Sequence, residues 1–195
     1  MMSGGRRDNI TMIFNMNMVF ENFFAKFINK NKETIFSNMS PKIEIQCRSN
    51  NFIYNYNVDD IKKSLRFTKP DVILSLDNYT YIFDTKYKKL NDPRIDRIKV
   101  KTDKAHSIAS SDLYQMYTYS QVYNAKHTVL VFPGYESRLS DSYVFTLKDK
   151  EKKLWIYMLK LNFNSGKWEG DLVDEFKKNF MKIIKVDHQN NCTFL

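Results

Sequence analysis

The chain is poor in the residues on which several common chemistries depend. Its 195 residues include two cysteines, Cys47 and Cys192, and three scattered histidines, His106, His127 and His188. The cysteines lie too far apart for a zinc-ligand spacing and suit a reducing cytoplasm. Only His188 has a cysteine close by, Cys192, and that pair supplies too few ligands for a metal centre. With five glycines and no glycine-rich phosphate loop, the chain should not hydrolyse nucleotides itself. No stretch rich in Pro, Gly or Ser marks a linker, and no internal repeat divides the chain. No apolar run reaches the roughly 18 residues that a membrane span needs. The N-terminal Phe-rich run is broken by Asn15, Asn17, Glu21 and Asn22, unlike a signal peptide.

What is abundant is positive charge. A net charge of +9 and a pI near 9.4 fit a polyanionic partner. A membrane-surface role fits less well, since no strongly cationic amphipathic helix is visible. At 43% hydrophobic content, 195 residues suffice for one compact domain with a sizeable core. Residues 1–13 read as a flexible leader and 14–195 as a single domain.

Residues 16–30 carry Met16, Val19, Phe20, Phe23, Phe24, Phe27 and Ile28 on one helical stripe, with Glu21 at its edge. Ile43 to Cys47 and Phe52 to Tyr56 alternate as strands or as one irregular arm. Ser110 to Asn124 reads as a helix with Ser110 or Ser111 as N-cap and Asp112 in its first turn. Leu113, Met116, Tyr117 and Ser120 trace one face of it, and Gln115, Tyr119, Val122 and Tyr123 another. Such a helix should be sandwiched between the sheet and something else. Thr128 to Phe132, ended by Pro133-Gly134, reads as a buried central strand. Ser142 to Leu147 and Leu154 to Phe163 are further strands, the latter with Trp155, Tyr157, Leu159, Leu161 and Phe163 on one face. Asp171 to Lys185 closes the chain as an amphipathic helix through Leu172, Phe176, Phe180, Ile183 and Ile184. This order is an α/β pattern.

The chemistry concentrates in a hairpin. Val72-Ile73-Leu74-Ser75-Leu76 and Tyr79-Thr80-Tyr81-Ile82-Phe83 are rich in β-formers and are split by Asp77-Asn78. A two-residue turn pairs Leu76 with Tyr79 and carries Asp71 to a position opposite Asp84, with Cβ atoms roughly 5 Å apart. Lys86 projects from the same face one step on. Two carboxylates at that distance repel by on the order of 3 kcal/mol at an effective dielectric of about 20. A divalent cation between them is the simplest offset. Hard oxygen ligands suit Mg²⁺, with Mn²⁺ as a substitute, and a lysine beside them can orient or deprotonate a water for phosphodiester hydrolysis.

Between hairpin and second helix runs a polar, mostly basic segment. Arg94, Arg97, Lys99, Lys101 and Lys104, with Lys88 on the rim, are suited to DNA phosphates.

Pro70-Asp71…Asp84-Thr85-Lys86 resembles the core motif of the PD-(D/E)xK nuclease superfamily. Asp84-Thr85-Lys86-Tyr87-Lys88 is similar to the Asp-x-Lys-Tyr-Lys segment of McrC, the nuclease subunit of McrBC-type restriction systems. Ser111 to Tyr119 resembles the helix that follows there, including the Gln-x-x-x-Tyr pattern at Gln115 and Tyr119. Phe14 to Glu21 is similar to the segment that opens the McrC nuclease domain. The likeness spans roughly residues 14–185.

The resemblance implies a restriction-endonuclease-like core, a central mixed β-sheet flanked by helices, with the site on the sheet edge beside the first helix. It implies Asp71, Asp84, Lys86, Glu21 and Gln115 as catalytic residues and Tyr119 as a support to Gln115. Asp71, Asp84, Glu21 and Thr85 would hold the Mg²⁺. It further implies double-stranded DNA as substrate and an McrB-like AAA+ GTPase as motor partner. McrC proteins carry an N-terminal region before the nuclease domain; here the nuclease-like helix begins at once, as in a nuclease-domain fragment or a short family member. A junction resolvase of the same fold and a catalytically silent DNA-binding module are the alternatives.

Overall fold

The computed structural model describes residues 13–37, 39–47, 51–56, 62–76, 78–88, 90, 108–134, 138–147, 150–161 and 168–191. Helix α1 (Met16–Ile35) is capped by the Asn15 side chain, which accepts from the Met18 N–H. Strands β1 (Lys42–Ile45), β2 (Asn51–Tyr56) and β3 (Lys62–Phe67) follow, then the hairpin β4 (Val72–Leu76) and β5 (Tyr79–Thr85). Helix α2 (Ser110–Val122) leads to β6 (His127–Gly134), β7 (Arg138–Leu147), β8 (Lys150–Lys160) and α3 (Trp168–Asn191).

Six strands form one mixed sheet in the order β1-β4-β5-β6-β8-β7, and β2 and β3 pair separately as a two-stranded ribbon. β5, β6 and β8 run parallel; the pairs β1–β4, β4–β5 and β7–β8 are antiparallel. The hairpin has the register that its turn dictates, from Leu76 opposite Tyr79 to Val72 opposite Phe83. β6 is buried on both faces, as a central parallel strand should be: Val129 and Val131 face one core, Leu130 and Phe132 the other.

The larger core lies under α1 and α3. Phe20, Phe24, Phe27 and Ile28 of α1 and Leu172, Phe176, Phe180, Ile183 and Ile184 of α3 close over Val72, Leu74, Tyr81, Phe83, Trp155 and Tyr157. The smaller core joins Met116 and Tyr119 of α2 to Ile82, Leu130, Phe132, Leu154 and Ile156.

Several expectations need correction. The stripe on α1 is buried only from Phe20 onward; Met16 and Val19 in its first turn are exposed, and the helix continues to Ile35. α2 begins at Ser110 with Ala109 as N-cap, so neither serine caps it and alanine offers no side-chain acceptor; the first-turn Asp112 carboxylate is taken by Lys88. Among the described residues only one face of α2 is covered: Asp112, Met116, Tyr119 and Ser120 are buried, whereas Tyr114 and Tyr117 are exposed. β8 starts earlier than Leu154 and buries both faces, with Trp155, Tyr157 and Leu159 in the larger core and Leu154 and Ile156 in the smaller one. The 1–13 leader falls outside the described residues except for Ile13, which is exposed. Among the described residues no helix is long and apolar enough to cross a membrane.

Candidate active site

The hairpin ladder stops at Val72, and Asp71 is released from pairing with β5. Its carbonyl accepts from the Gln46 N–H at 3.0 Å, beyond the end of β1. Its buried carboxylate turns to Thr85, with Oδ2 accepting from both the Thr85 N–H and its hydroxyl at 2.6 Å. On β5 the alternation of side chains sends Phe83 into the larger core and Asp84 toward α2. Asp84 is 3% exposed, and its Oδ2 lies 2.6 Å from the Lys86 ammonium. That contact has the distance of an ion pair but not the angles of a hydrogen bond, so Oδ2 is a buried oxygen with no hydrogen-bond partner among the described residues. The repulsion expected between Asp71 and Asp84 is thus offset within the protein itself, by Thr85 on one carboxylate and Lys86 on the other.

Lys86 continues from β5 with its N–H bonded to the Val131 carbonyl at 2.8 Å. Its ammonium also donates to Gln115 Oε1 at 2.9 Å. Gln115 Nε2 donates to the Tyr119 hydroxyl at 2.8 Å, which donates to the Lys69 carbonyl at 3.1 Å. This directional chain returns to the segment carrying Asp71 and fixes which end of the Gln115 amide faces Lys86. Asp112, Gln115 and Tyr119 occupy one face of α2 at i, i+3 and i+7. Asp112 Oδ2 accepts from Lys88 at 2.7 Å, and Oδ1 stands 4.0 Å from Lys86. Lys88 also lies over the Phe132 ring, 5.8 Å from its centroid. It is therefore held against α2 rather than projecting freely from the rim.

Glu21 approaches from α1. Its Oε1 accepts from Gln46 Nε2 at 2.7 Å and lies 3.7 Å from the Lys69 ammonium. Burial raises the Glu21 carboxyl above its usual range, Asp71 adds to the rise, and Lys69 opposes it. Asp84 is pushed up to about 7, first by burial and then by the Asp71 charge, against the pull of Lys86. For Lys86 burial works against the ammonium, but Asp84, Asp112 and Asp71 outweigh it and the net shift is upward. Burial likewise raises the Tyr119 phenol, which stays neutral.

Asp71, Asp84, Lys86, Thr85, Glu21, Gln115 and Tyr119 thus gather at the C-terminal end of β5, between α1 and α2. This is an inner strand rather than the sheet edge, because β4 and β1 lie outside it. Arg94, Arg97, Lys99, Lys101 and Lys104 lie outside the described residues. Gln46, Lys69 and Asp112 belong to the cluster but do not stand out in the sequence as members. Only Asp112 left a usable signal, its helical spacing to Gln115. Among the described residues no group of three or more His, Cys, Asp or Glu is gathered as a ready-made metal centre.

A family model described as the McrBC 5-methylcytosine restriction system component matches residues 1–133. The chain belongs to this family. The match runs from α1 through β6 and so takes in every residue of the cluster. A comparison with curated proteins gives no match.

Proposed function

We propose that this restriction-system component is its cleavage subunit, a metal-dependent endonuclease with a PD-(D/E)xK core that hydrolyses phosphodiester bonds in double-stranded DNA. The observation that carries the reading is the Lys86 ammonium shared between Asp84 and Gln115, beside Asp71 at a strand end. A silent binding module would have no need for two buried carboxylates side by side at a strand end.

The donor set fits a hard divalent cation. Asp71, Asp84 and Glu21 supply anionic oxygens, the Thr85 carbonyl is the fourth candidate, and Glu21 and Asp84 are both held above their usual range, first by burial and then by the Asp71 charge. When bound, Mg²⁺ or Mn²⁺ would supply charge stabilisation at the phosphoryl oxygens and lower the pKa of a coordinated water.

The protein's own residues do the remainder. Lys86 stays an ammonium at neutral pH, so it acts as a charged donor that orients the attacking water and meets developing negative charge, not as a base. Gln115, itself held by Tyr119, keeps that ammonium aimed. In the reaction the water oxygen bonds to phosphorus and gives up a proton to solvent, the bond from phosphorus to the leaving sugar oxygen breaks, and that oxygen takes up a proton from solvent. The basic segment carrying Arg94, Arg97, Lys99, Lys101 and Lys104 would hold the backbone, and an McrB-like GTPase would deliver the target.

The test is incubation of supercoiled plasmid with wild type and Asp84→Ala in Mg²⁺, Mn²⁺ or EDTA, with and without an McrB-like motor and methylated DNA. Metal-dependent nicking or linearisation that disappears in the variant is expected. Equal cleavage by both proteins would sink the assignment.

A further inference from the structure

Gln46 sits in a place that its residue type does not favour. Its φ is +49°, in the left-handed region that a long side chain seldom adopts. Such strain persists where the surroundings over-determine it, and here they do so twice. The Gln46 N–H donates to the Asp71 carbonyl at 3.0 Å, and Gln46 Nε2 donates to Glu21 Oε1 at 2.7 Å. A longer contact, 3.4 Å to Asn22 Oδ1, steadies the amide. One residue thus touches both the strand that carries Asp71 and the helix that carries Glu21, which are 50 positions apart in the chain. Lys69 also faces Glu21, with its ammonium 3.7 Å from Oε1 and its side chain partly exposed.

We propose that Gln46 is a positioning residue that uses its left-handed backbone to hold the Glu21 carboxylate in register with Asp71, so that both face one divalent cation. This rests on the cation-dependent reading above. A glutamine is suited to the task because its amide donates to a carboxylate without neutralising it, which leaves the ligand's charge for the ion. Partners that orient ligands in this way are commonly worth about tenfold in metal affinity.

The discriminating variant is Gln46→Asn. Asparagine tolerates the left-handed region better than glutamine and keeps the N–H to Asp71, but its amide is one methylene too short for Glu21. Mn²⁺ titration calorimetry on the full chain should show affinity reduced about tenfold, with the melting temperature held or raised. Gln46→Gly, which removes the strain and the amide together, should lose affinity to the same extent. In a Glu21→Gln background, adding Gln46→Asn should change nothing further, because the group it positions is already gone. Wild-type affinity in Gln46→Asn, or an equal loss in the Glu21→Gln background, would overturn the proposal and leave the nuclease reading standing. Wild type binding Mn²⁺ no better than Asp84→Asn would overturn both.

Discussion

The two faces of the sheet are built to different rules, although the same strands supply both. Under α1 and α3 the packing is mostly aromatic, and its buried polar groups are neutral: His127, which accepts from the Trp155 indole at 2.8 Å, and Asn179. Phe176 meets the rings of Phe24, Phe83, Tyr157 and Phe180 at centroid distances of 5.4 to 6.2 Å, and Phe180 meets Tyr81 at 5.3 Å. Under α2 the apolar cluster is smaller, and it is bordered by buried polar groups: Asp84, Asp112, and Lys152, whose ammonium caps the Ser120 carbonyl near the end of α2. β5 divides itself between them residue by residue, Tyr81 and Phe83 to one side, Ile82 and Asp84 to the other. The difference teaches that stability and chemistry are separated here by a single step along one strand.

The sharpest way to break that comparison is to change the two neighbours Asp84 and Phe83 in turn. Asp84→Asn should reduce cleavage about a thousandfold or more, the several kcal/mol that losing a ligand to an essential metal removes from transition-state stabilisation. Denaturant titration of the same variant, free of metal, should show unchanged or increased stability at neutral pH, because it removes a carboxylate held against burial and a like charge. Phe83→Ala should do the reverse. It empties a site 1% exposed among Phe24, Phe176 and Phe180, which should lower unfolding free energy by about 3–5 kcal/mol. Cleavage per folded molecule, measured well below the melting temperature, should stay near wild type. If Phe83→Ala abolished cleavage in the folded protein, the two faces would not be separable.

The separation should also be visible as pH dependence. Asp84 titrates near 7 in the fold, above its unfolded value, with Lys86, Asp71 and Asp112 as the charged groups around it. A raised carboxyl contributes stability that is complete below the unfolded pKa and lost as pH climbs through the folded one. Metal-free protein should therefore lose on the order of a few kcal/mol between about pH 4 and pH 7. Glu21, raised as well, acts in the same direction. Asp84→Asn should flatten most of that slope, whereas Phe83→Ala should shift the whole curve down and keep its shape. Melting temperatures across the pH range would distinguish the two.

How much of this was legible beforehand follows from the range of the interactions. The hairpin register was readable because a two-residue turn and strict alternation leave one solution, and it brings Asp71, Asp84 and Lys86 to the same end of the hairpin, although the ladder itself stops at Val72. The buried faces of α1 and α3 were readable from helical period, from Phe20 and from Leu172 onward. β3 was not foreseen, because Lys62 to Phe67 alternates weakly. The partners of Glu21 were invisible for a different reason. Gln46 and Lys69 reach it across 25 and 48 positions, and no local pattern encodes such a meeting. Asp112 misled in a third way: an acidic residue in a first turn has an ordinary helix-dipole explanation, and only the fold shows that its carboxylate is taken by Lys88.

That pairing frames the smallest expected effect. Each lysine or arginine that neutralises a phosphate adds about 0.9 to the slope of log affinity against log salt. Changing Arg94, Arg97 and Lys101 together to Ala should flatten the slope for DNA binding by about three. Lys88, with its ammonium committed to Asp112 at 2.7 Å and lying over Phe132, should lower the slope by less than one when changed to Ala. Its loss should instead be felt at Asp112, whose carboxylate would be left to Lys86 alone at 4.0 Å and would draw that ammonium from Gln115. Lys88→Ala should therefore slow single-turnover cleavage a few-fold at saturating DNA while leaving DNA affinity nearly unchanged. A full unit lost from the salt slope, with the cleavage rate intact, would place Lys88 on the phosphate side of the site after all.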